Sequence, residues 1–442
     1  MLSYFWHSST RRGAAPAFNL RLYCVFLAST GFALDRTLFL VYMTERGLDV
    51  RQAALCEAIF QLAVVVFEVP TGWVSDRFGR KISIGCGIAL LGLYHLAMLA
   101  SGGFAAFAGS MALCAMAHTF LSGSDTSLLY EMVERSEGRE RYLSFSSKAL
   151  AGQQIMLGVS AVLGALLASW SWAALYLGMA AFSIAQLAML ALVREPVGES
   201  ESVADTAGTT ETGYSKTSAA TASATSTASR SPFRRGLLLR ATHWTTFAPA
   251  WLFVAFLTVT AALDQTAMSY SMSSSMILDQ VGVALPLIGL FAGGSQLINA
   301  AAYLCANRLA RRFGRWRVFI WTSIALAAVF ATLPVAAVFS PLALLVASLP
   351  ALFMPELLYA IVESIAQDHL VNATRARVLS ALSMMESLYG FGVYAVLGAS
   401  LQLWGVPQAL ALLAGVIAVL TIAAFAGLCW VRSQGIAKNR AE

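Results

Sequence analysis

Seven ionisable residues sit inside long apolar runs of this 442-residue sequence: Asp35, Arg36, Glu68, Asp125, Asp264, Glu356 and Glu386. Holding a charge in such a place costs roughly 2.5–3.5 kcal/mol on insertion scales, so each is a candidate for function. A desolvated carboxylate takes up a proton more readily, and a nearby cation makes it give the proton back. Such groups can exchange protons first with one side of a barrier and then with the other. A structural role competes with that reading, for instance an ion pair between Arg36 and Glu57. Polar and aromatic side chains on the same runs offer contacts for a small molecule: Gln153, Gln154, Gln265, Gln296, Asn299, Tyr270, Tyr303, Tyr389 and Tyr394. His95 and His118 stand alone, without ligand spacing, and read as packing residues. No nucleophile–base or metal set has useful spacing, so neither catalysis, metal nor cofactor is expected. The six cysteines (Cys24, Cys56, Cys86, Cys114, Cys305 and Cys429) are scattered and read as small buried apolar residues. The phosphate-binding pattern G-x-x-x-x-G-K is absent, which excludes ATP-driven work by this chain alone.

Composition says what must position these residues. The chain is 58% hydrophobic and only 12% charged, with a mean hydropathy of +0.70. A soluble domain has roughly a quarter of its residues charged, so the solvent for most side chains here is lipid. A helical crossing takes about 20 apolar residues, and unsatisfied backbone groups exclude open sheet from the bilayer. The apolar runs predict an all-α integral membrane protein of twelve transmembrane helices, at 19–43, 53–75, 82–100, 104–133, 142–168, 171–193, 244–276, 284–307, 317–338, 341–367, 376–403 and 406–431. No short apolar segment with a small-residue cleavage site precedes the first run, so that run is expected to be retained.

Residues 197–243 join the two sets of six; from 197 to 232 the segment is rich in Ser, Thr, Ala and Glu and has no apolar periodicity. Such a segment cannot bury enough surface to order itself. It divides the chain into an amino-terminal bundle, 1–196, a linker, 197–243, and a carboxyl-terminal bundle, 244–442. With both termini inside, only Arg36, Arg46 and Arg51 face outward, and the rest of the 29 basic residues face the cytoplasm. The net charge of +6 thus follows topology and does not signal nucleic acid. The halves also repeat. Leu34-Asp35-Arg36-Thr37 recurs as Leu263-Asp264-Gln265-Thr266, and Leu128-Leu129-Tyr130 as Leu357-Leu358-Tyr359, each 229 positions on. Gln61-Leu62 recurs as Gln296-Leu297, and Arg77-Phe78-Gly79-Arg80 as Arg312-Phe313-Gly314-Arg315, each 235 positions on. Arg141 to Ser144 recurs at Arg377 to Ser380. Six-helix halves related by an axis along the membrane normal place a substrate site between them near the midplane.

Gly72-Trp73-Val74-Ser75-Asp76-Arg77-Phe78-Gly79-Arg80-Lys81, at the turn between spans two and three, resembles the signature loop G-x-x-x-D-R-x-G-R-K of the major facilitator superfamily. Phe67-Glu68-Val69-Pro70-Thr71, Ser122-Gly123-Ser124-Asp125 and Leu128-Leu129-Tyr130 look like a bacterial branch whose substrates are mostly unassigned. Gly72 and Gly79 permit close approach and a tight turn. Asp76 suits free N–H groups at a helix start, and Arg77 and Arg80 suit carboxylates at a neighbouring span end. The resemblance implies a latch that holds the halves together on the cytoplasmic side, with Lys81 in its loop and Glu131 and Glu134 at the end of span four as partners. The second copy is degenerate, with Arg311 in place of Asp76 and Asn307 in place of Gly72. Span five has Gly152, Gly158 and Gly164 but lacks the Gly-Pro step of many drug/proton antiporters, so no motif secures export.

By the same resemblance spans one, four, seven and ten line the cavity, which implies that Asp35, Asp125, Asp264 and Glu356 face it. Glu68 and Glu386 are expected behind or beside it. Counted as one continuous helix from Arg21, Asp35 lies roughly 21 Å along span one, beyond mid-membrane. The leading expectation is a secondary transporter of the cell membrane that exports a small, partly apolar molecule in exchange for protons. It is expected to act as a monomer, in contact with lipid, with Asp35 and Asp264 as the coupling site. A proton-coupled importer of an organic nutrient is the rival of the same class. A membrane-embedded receptor or enzyme is the rival of another class.

Overall fold

The computed structural model describes residues 14–122, 124–138, 141–194, 248–369 and 372–439. The expected linker, 197–243, lies outside them. Among the described residues the first half holds α1 (Ala14–Ser29), α2 (Phe39–Glu45), α3 (Val50–Phe78), α4 (Arg80–Ala100), α5 (Phe104–Leu121), α6 (Ser124–Ser136), α7 (Tyr142–Ala168) and α8 (Trp172–Leu192). The second holds α9 (Ala248–Gln280), α10 (Leu285–Phe313), α11 (Arg315–Phe339), α12 (Pro341–His369), α13 (Asn372–Trp404) and α14 (Val406–Asn439). Among the described residues there is no strand. Eight of the described helical stretches are long and apolar enough to cross a membrane. Large apolar side chains such as Val69, Ile184, Val338 and Val419 stay exposed on the outside of the bundle, as lipid contact requires. The protein is a multi-pass membrane protein.

Glycines with left-handed φ set the reversals in matched positions. Gly79 and Gly314 (φ 92° and 83°) turn the chain at one end, here called the loop end. Gly47 and Gly282 (φ 97° and 85°) turn it at the far end. Caps complete the starts: Asp49 and Gln52 form a reciprocal capping box on α3, and Ser171 caps α8.

Two expected single spans are each two helices. In the stretch read as 19–43, helix ends at Ser29 and resumes at Phe39, so the depth estimate for Asp35 along one continuous helix does not hold. The freed groups find partners, as they must in a membrane. Gln186 Nε2 donates to the Ser29 carbonyl at 3.1 Å, and Gln153 Nε2 donates to Thr30 Oγ1 at 2.7 Å. The glycines of α7 make the room: a methyl group at Gly164 would overlap the Leu34 carbonyl, and one at Gly152 would press on Ala28. In the stretch 104–133, α5 ends at Leu121, where Ser122 leaves helical geometry (φ −56°, ψ 126°). There Ser83 Oγ donates to the Phe120 carbonyl at 2.8 Å, and Tyr23 OH to the Asp125 carbonyl at 2.8 Å.

The halves meet through α3 against α13, α7 against α10 and α2 against α9. Gly158 lies against Gly293, Gly289 against Ala161 and Ala165, and Gly398 against Ala54 and Arg51. Small residues let the backbones approach closely, and these contacts lie toward the far end. One apolar core runs through both halves, whereas a second, including Leu20, Ile84, Leu129 and Leu190, is confined to the loop end of the first half.

Candidate functional site

Between the halves lies a cavity of about 700 Å³. It reaches from Phe39, Glu57 and Tyr394 toward the far end to Glu68, Ser122 and Asp125 toward the loop end. Nearly all its polar wall comes from the first half; the second supplies Gln265, Met268, Met272, Ser383 and Tyr394.

Asp35 sits in the irregular stretch between α1 and α2, 4% exposed. Its Oδ2 accepts the Tyr94 hydroxyl at 2.9 Å, and its Oδ1 lies 3.6 Å from His95 Nε2. Both partners come from α4. Arg36, Asp125, Gln153 and Gln154 line the same cavity. Asp125 Oδ1 also accepts the Thr126 N–H at 2.6 Å, and so holds the start of α6. Arg36 and Glu57 both line the cavity, where Gln61 donates to Glu57 at 3.2 Å.

Several expectations are corrected by position. Asp264 does not line the cavity; its neighbour Gln265 does. Asp264 Oδ1 is buried without a hydrogen-bond partner, near Glu356 and Glu386. Neither Glu356 nor Gln296 lines the cavity, and Gln296 instead faces Gly158 where α10 meets α7. Tyr270 is fully buried, bonded to Ser348 Oγ and packed edge-on against Phe330. The reason is common to these residues. A helix turns 100° per residue, so a run that borders a cavity shows it only one stripe, and on α9 that stripe is Gln265, Met268 and Met272. Glu68, expected behind or beside the cavity, lines it.

His95, Tyr94, Glu57 and His118 are wall residues that sequence reasoning set aside or passed over. The signal lay in the repeat. At the offset of 235, Tyr94-His95 corresponds to Val329-Phe330, so only the first half carries polar side chains there.

At the loop end, Arg80 Nη1 pairs with Glu131 Oε1 at 2.7 Å, the two side chains 37% and 35% exposed. This pair joins α4 to α6 within the first half and does not bridge the halves. Glu134 is exposed and accepts the Tyr130 hydroxyl at 3.4 Å. Arg77 stacks over Trp73 and Phe78. Lys81 Nζ donates to the Val193 carbonyl at 2.6 Å, tying the loop to the end of α8. Gly79 provides the left-handed turn, and Gly72 has open space around it. The N-cap of α4 is Gly79, which has no side chain with which to cap it. Among the described residues no group of three His, Cys, Asp or Glu is placed to hold a metal.

Comparison with known proteins agrees with this architecture. The family described as Major Facilitator Superfamily matches residues 22–390. A curated relative, the uncharacterized MFS-type transporter YxaM of Bacillus subtilis (strain 168), is 28% identical over 109 residues. That match covers 24% of this chain and spans about a quarter (26%) of the relative's length. A mutant form of the nucleoside transporter NupG aligns with TM-score 0.71 at 14% identity, over 92% of this chain and 99% of that one. The D-xylose-proton symporter aligns with TM-score 0.66 at 11% identity, over 93% and 96%. A mutant form of the peptide transporter POT aligns with TM-score 0.63 at 15% identity, over 94% of each chain. At these identities the likeness to solved structures is one of fold.

Proposed function

The chain belongs to the Major Facilitator Superfamily, and from that premise we propose that it is a proton-coupled exporter of a small, partly apolar molecule, working by alternating access. It is a transporter and not an enzyme. The cavity carries the proposal: about 700 Å³ between the halves, closed toward the far end by small-residue packing and walled by buried ionisable groups. A space of that size suits a small organic molecule. Methionine and aromatic side chains suit its apolar part, and glutamines its polar groups. In this reading the chain crosses the cell membrane twelve times as a monomer, with both termini and the linker in the cytoplasm. The loop end then faces the cytoplasm, and the conformation is the inward-facing one. Asp35 couples the cycle to protons. The loop residues Gly72, Asp76, Arg77, Gly79, Arg80 and Lys81, with Glu131 and Glu134, bias the two conformations.

Import is the second reading, favoured by one neighbour of the same fold that is itself a proton symporter. One experiment separates the two. The full chain is placed in proteoliposomes under an imposed pH gradient and offered a panel of nucleosides, D-xylose, short peptides and amphipathic organic molecules. An exporter exchanging protons gathers its substrate on the acidic side, and a symporter gathers it on the alkaline side. The sign holds whichever way the protein inserts. Equal distribution of every compound across the gradient would remove proton coupling from the proposal. Topology is read separately, from a cysteine placed at Ser215: an impermeant reagent added outside intact cells is expected to leave it unmodified.

A further inference from the structure

His95 is 4% exposed, and its two ring nitrogens have different surroundings. Nε2 lies 3.6 Å from Asp35 Oδ1, while Nδ1 is buried without a hydrogen-bond partner. We propose that His95 takes up the transported proton on Nδ1, and that Asp35 stays ionised and acts as the positioning residue that holds the ring through Nε2. This rests on the proton-coupled reading above.

A neutral imidazole carries one N–H, and the nitrogen facing a carboxylate is the one that keeps it. With Nε2 turned to Asp35, the lone pair is left on Nδ1, inside a wall of the cavity. Both oxygens of Asp35 face donors, Tyr94 and His95, which is the arrangement of an ionised carboxylate. The unprotonated pair then has a net negative charge, and adding a proton makes it a neutral ion pair. Burying an uncompensated charge is far more costly than burying a paired one. The loaded pair is therefore the form that tolerates being sealed from water while the halves exchange positions.

The other titratable groups around the pair are Arg36 beside Asp35, Glu57 on α3, Cys114 and His118 on α5 and Tyr176 on α8. Arg36 is the cation of this group, and Glu57, whose carboxyl accepts the Gln61 amide at 3.2 Å, lines the cavity with it. A distance of 3.6 Å is in ion-pair range but too long for a hydrogen bond. A charged ring would draw the carboxylate nearer, because charge-assisted bonds are shorter. Asp35 lies in the break, where its backbone carbonyl accepts the N–H groups of Leu38 and Phe39 at 2.8 and 2.9 Å and so ties it to the start of α2. Protonation would thus pull on the connection between α1 and α2, and α2 packs on α9 of the other half.

The test uses the full chain in detergent with ¹⁵N-labelled histidine, whose shifts report tautomer and charge, and His95→Gln to identify the signal. The neutral ring is expected as the Nε2–H tautomer, and acidification is expected to convert it to the charged ring. Asp35→Asn, which removes the nearby negative charge, is expected to leave more of the ring neutral under the same conditions. A ring that stays neutral on acidification, the Nδ1–H tautomer, or a neutral fraction unchanged in Asp35→Asn would each overturn the proposal. Should Asp35→Asn not fold, proton uptake by purified chains on acidification decides: His95→Gln is expected to take up one proton fewer than wild type, and equal uptake overturns it. Substrate-driven proton movement in proteoliposomes separates the two readings. If wild type moves none, coupling itself fails. If wild type does and His95→Gln moves protons at the same ratio, coupling stands and His95 is rejected.

Discussion

The stretch from Ala14 to Glu45 and the helix α9 occupy equivalent places in the two halves, carry an aspartate 229 positions apart, and are built differently. The first breaks into α1 and α2 around Asp35; the second runs unbroken for 33 residues through Asp264. At the matched offset, Gly31-Phe32-Ala33 faces Thr260-Ala261-Ala262. Alanine is the best helix former and glycine among the worst, so the second sequence favours continuing and the first permits stopping. Thr258, Thr266 and Ser269 of α9 donate to carbonyls of their own unbroken helix, at Val254, Ala262 and Gln265. At the break in the first half, Gln153 and Gln186 of neighbouring helices donate to Thr30 Oγ1 and the Ser29 carbonyl. Asp35 then meets Tyr94 and His95, whereas the second half has Val329 and Phe330 in their place, and Asp264 keeps an oxygen without a partner. Repetition of a residue across a duplicated fold does not repeat its site unless its partners are repeated too.

The comparison breaks most visibly if the two aspartates behave alike. Asp35→Asn is expected to lower accumulation against a gradient at least about tenfold while leaving downhill exchange, since it removes one member of a buried pair. Asp264→Asn is expected to leave accumulation within about twofold, the range of an ordinary side-chain change away from the site. Equal loss in the two, measured in proteoliposomes at matched protein content, would restore a symmetric coupling site.

The break itself depends on the absent side chain at Gly164. Valine there has no room beside the Leu34 carbonyl, and overpacking of this kind costs about 1–3 kcal/mol. Thermal unfolding in detergent is expected to show that loss for Gly164→Val. It is expected to show none for Gly415→Ala, where nothing lies within 4 Å of the added carbon. A tolerated valine would mean that the irregular stretch is not held by α7.

Arg80 sharpens the contrast at the loop end. Its pair with Glu131 is over a third exposed on both sides, so its share of stability is within about 1 kcal/mol. Arg80→Ala is expected to reduce transport while membrane abundance changes little. Parallel loss of both would make the pair purely structural.

The smallest effect concerns the far end, where Asp279 of α9, past the membrane-spanning part, lies near Glu45 of α2. Burial, and then the Glu45 charge, push the Asp279 carboxyl above its ordinary range. The closed far end therefore binds a proton more tightly than an open one, so closure strengthens as pH falls and weakens as pH rises through the raised value. Asp279→Asn is expected to flatten that pH dependence, read as accessibility of a cysteine placed at Gly282. An unchanged profile would remove Asp279 from the seam.

Much of this protein was legible in its residues. Lipid as the main solvent, the two repeated halves, the signature loop and the ionisable residues in apolar runs all follow from composition and order, which act locally along the chain. Gly152, Gly158 and Gly164 were visible as a pattern, yet their tasks were not, because each is defined by what packs against the missing side chain: Ala28, Gly293 and Leu34. The pairing of Asp35 with His95 joins residues 60 positions apart, and a lone histidine gives no sign of its partner. The exclusion of Asp264 and Tyr270 from the cavity depends on how α9 is rotated against its neighbours. Composition determined that the chain must enter a membrane, because transfer from water depends on each side chain separately. Only the tertiary structure decided which charges share a wall, because electrostatic pairing and exclusion of water depend on distance in space.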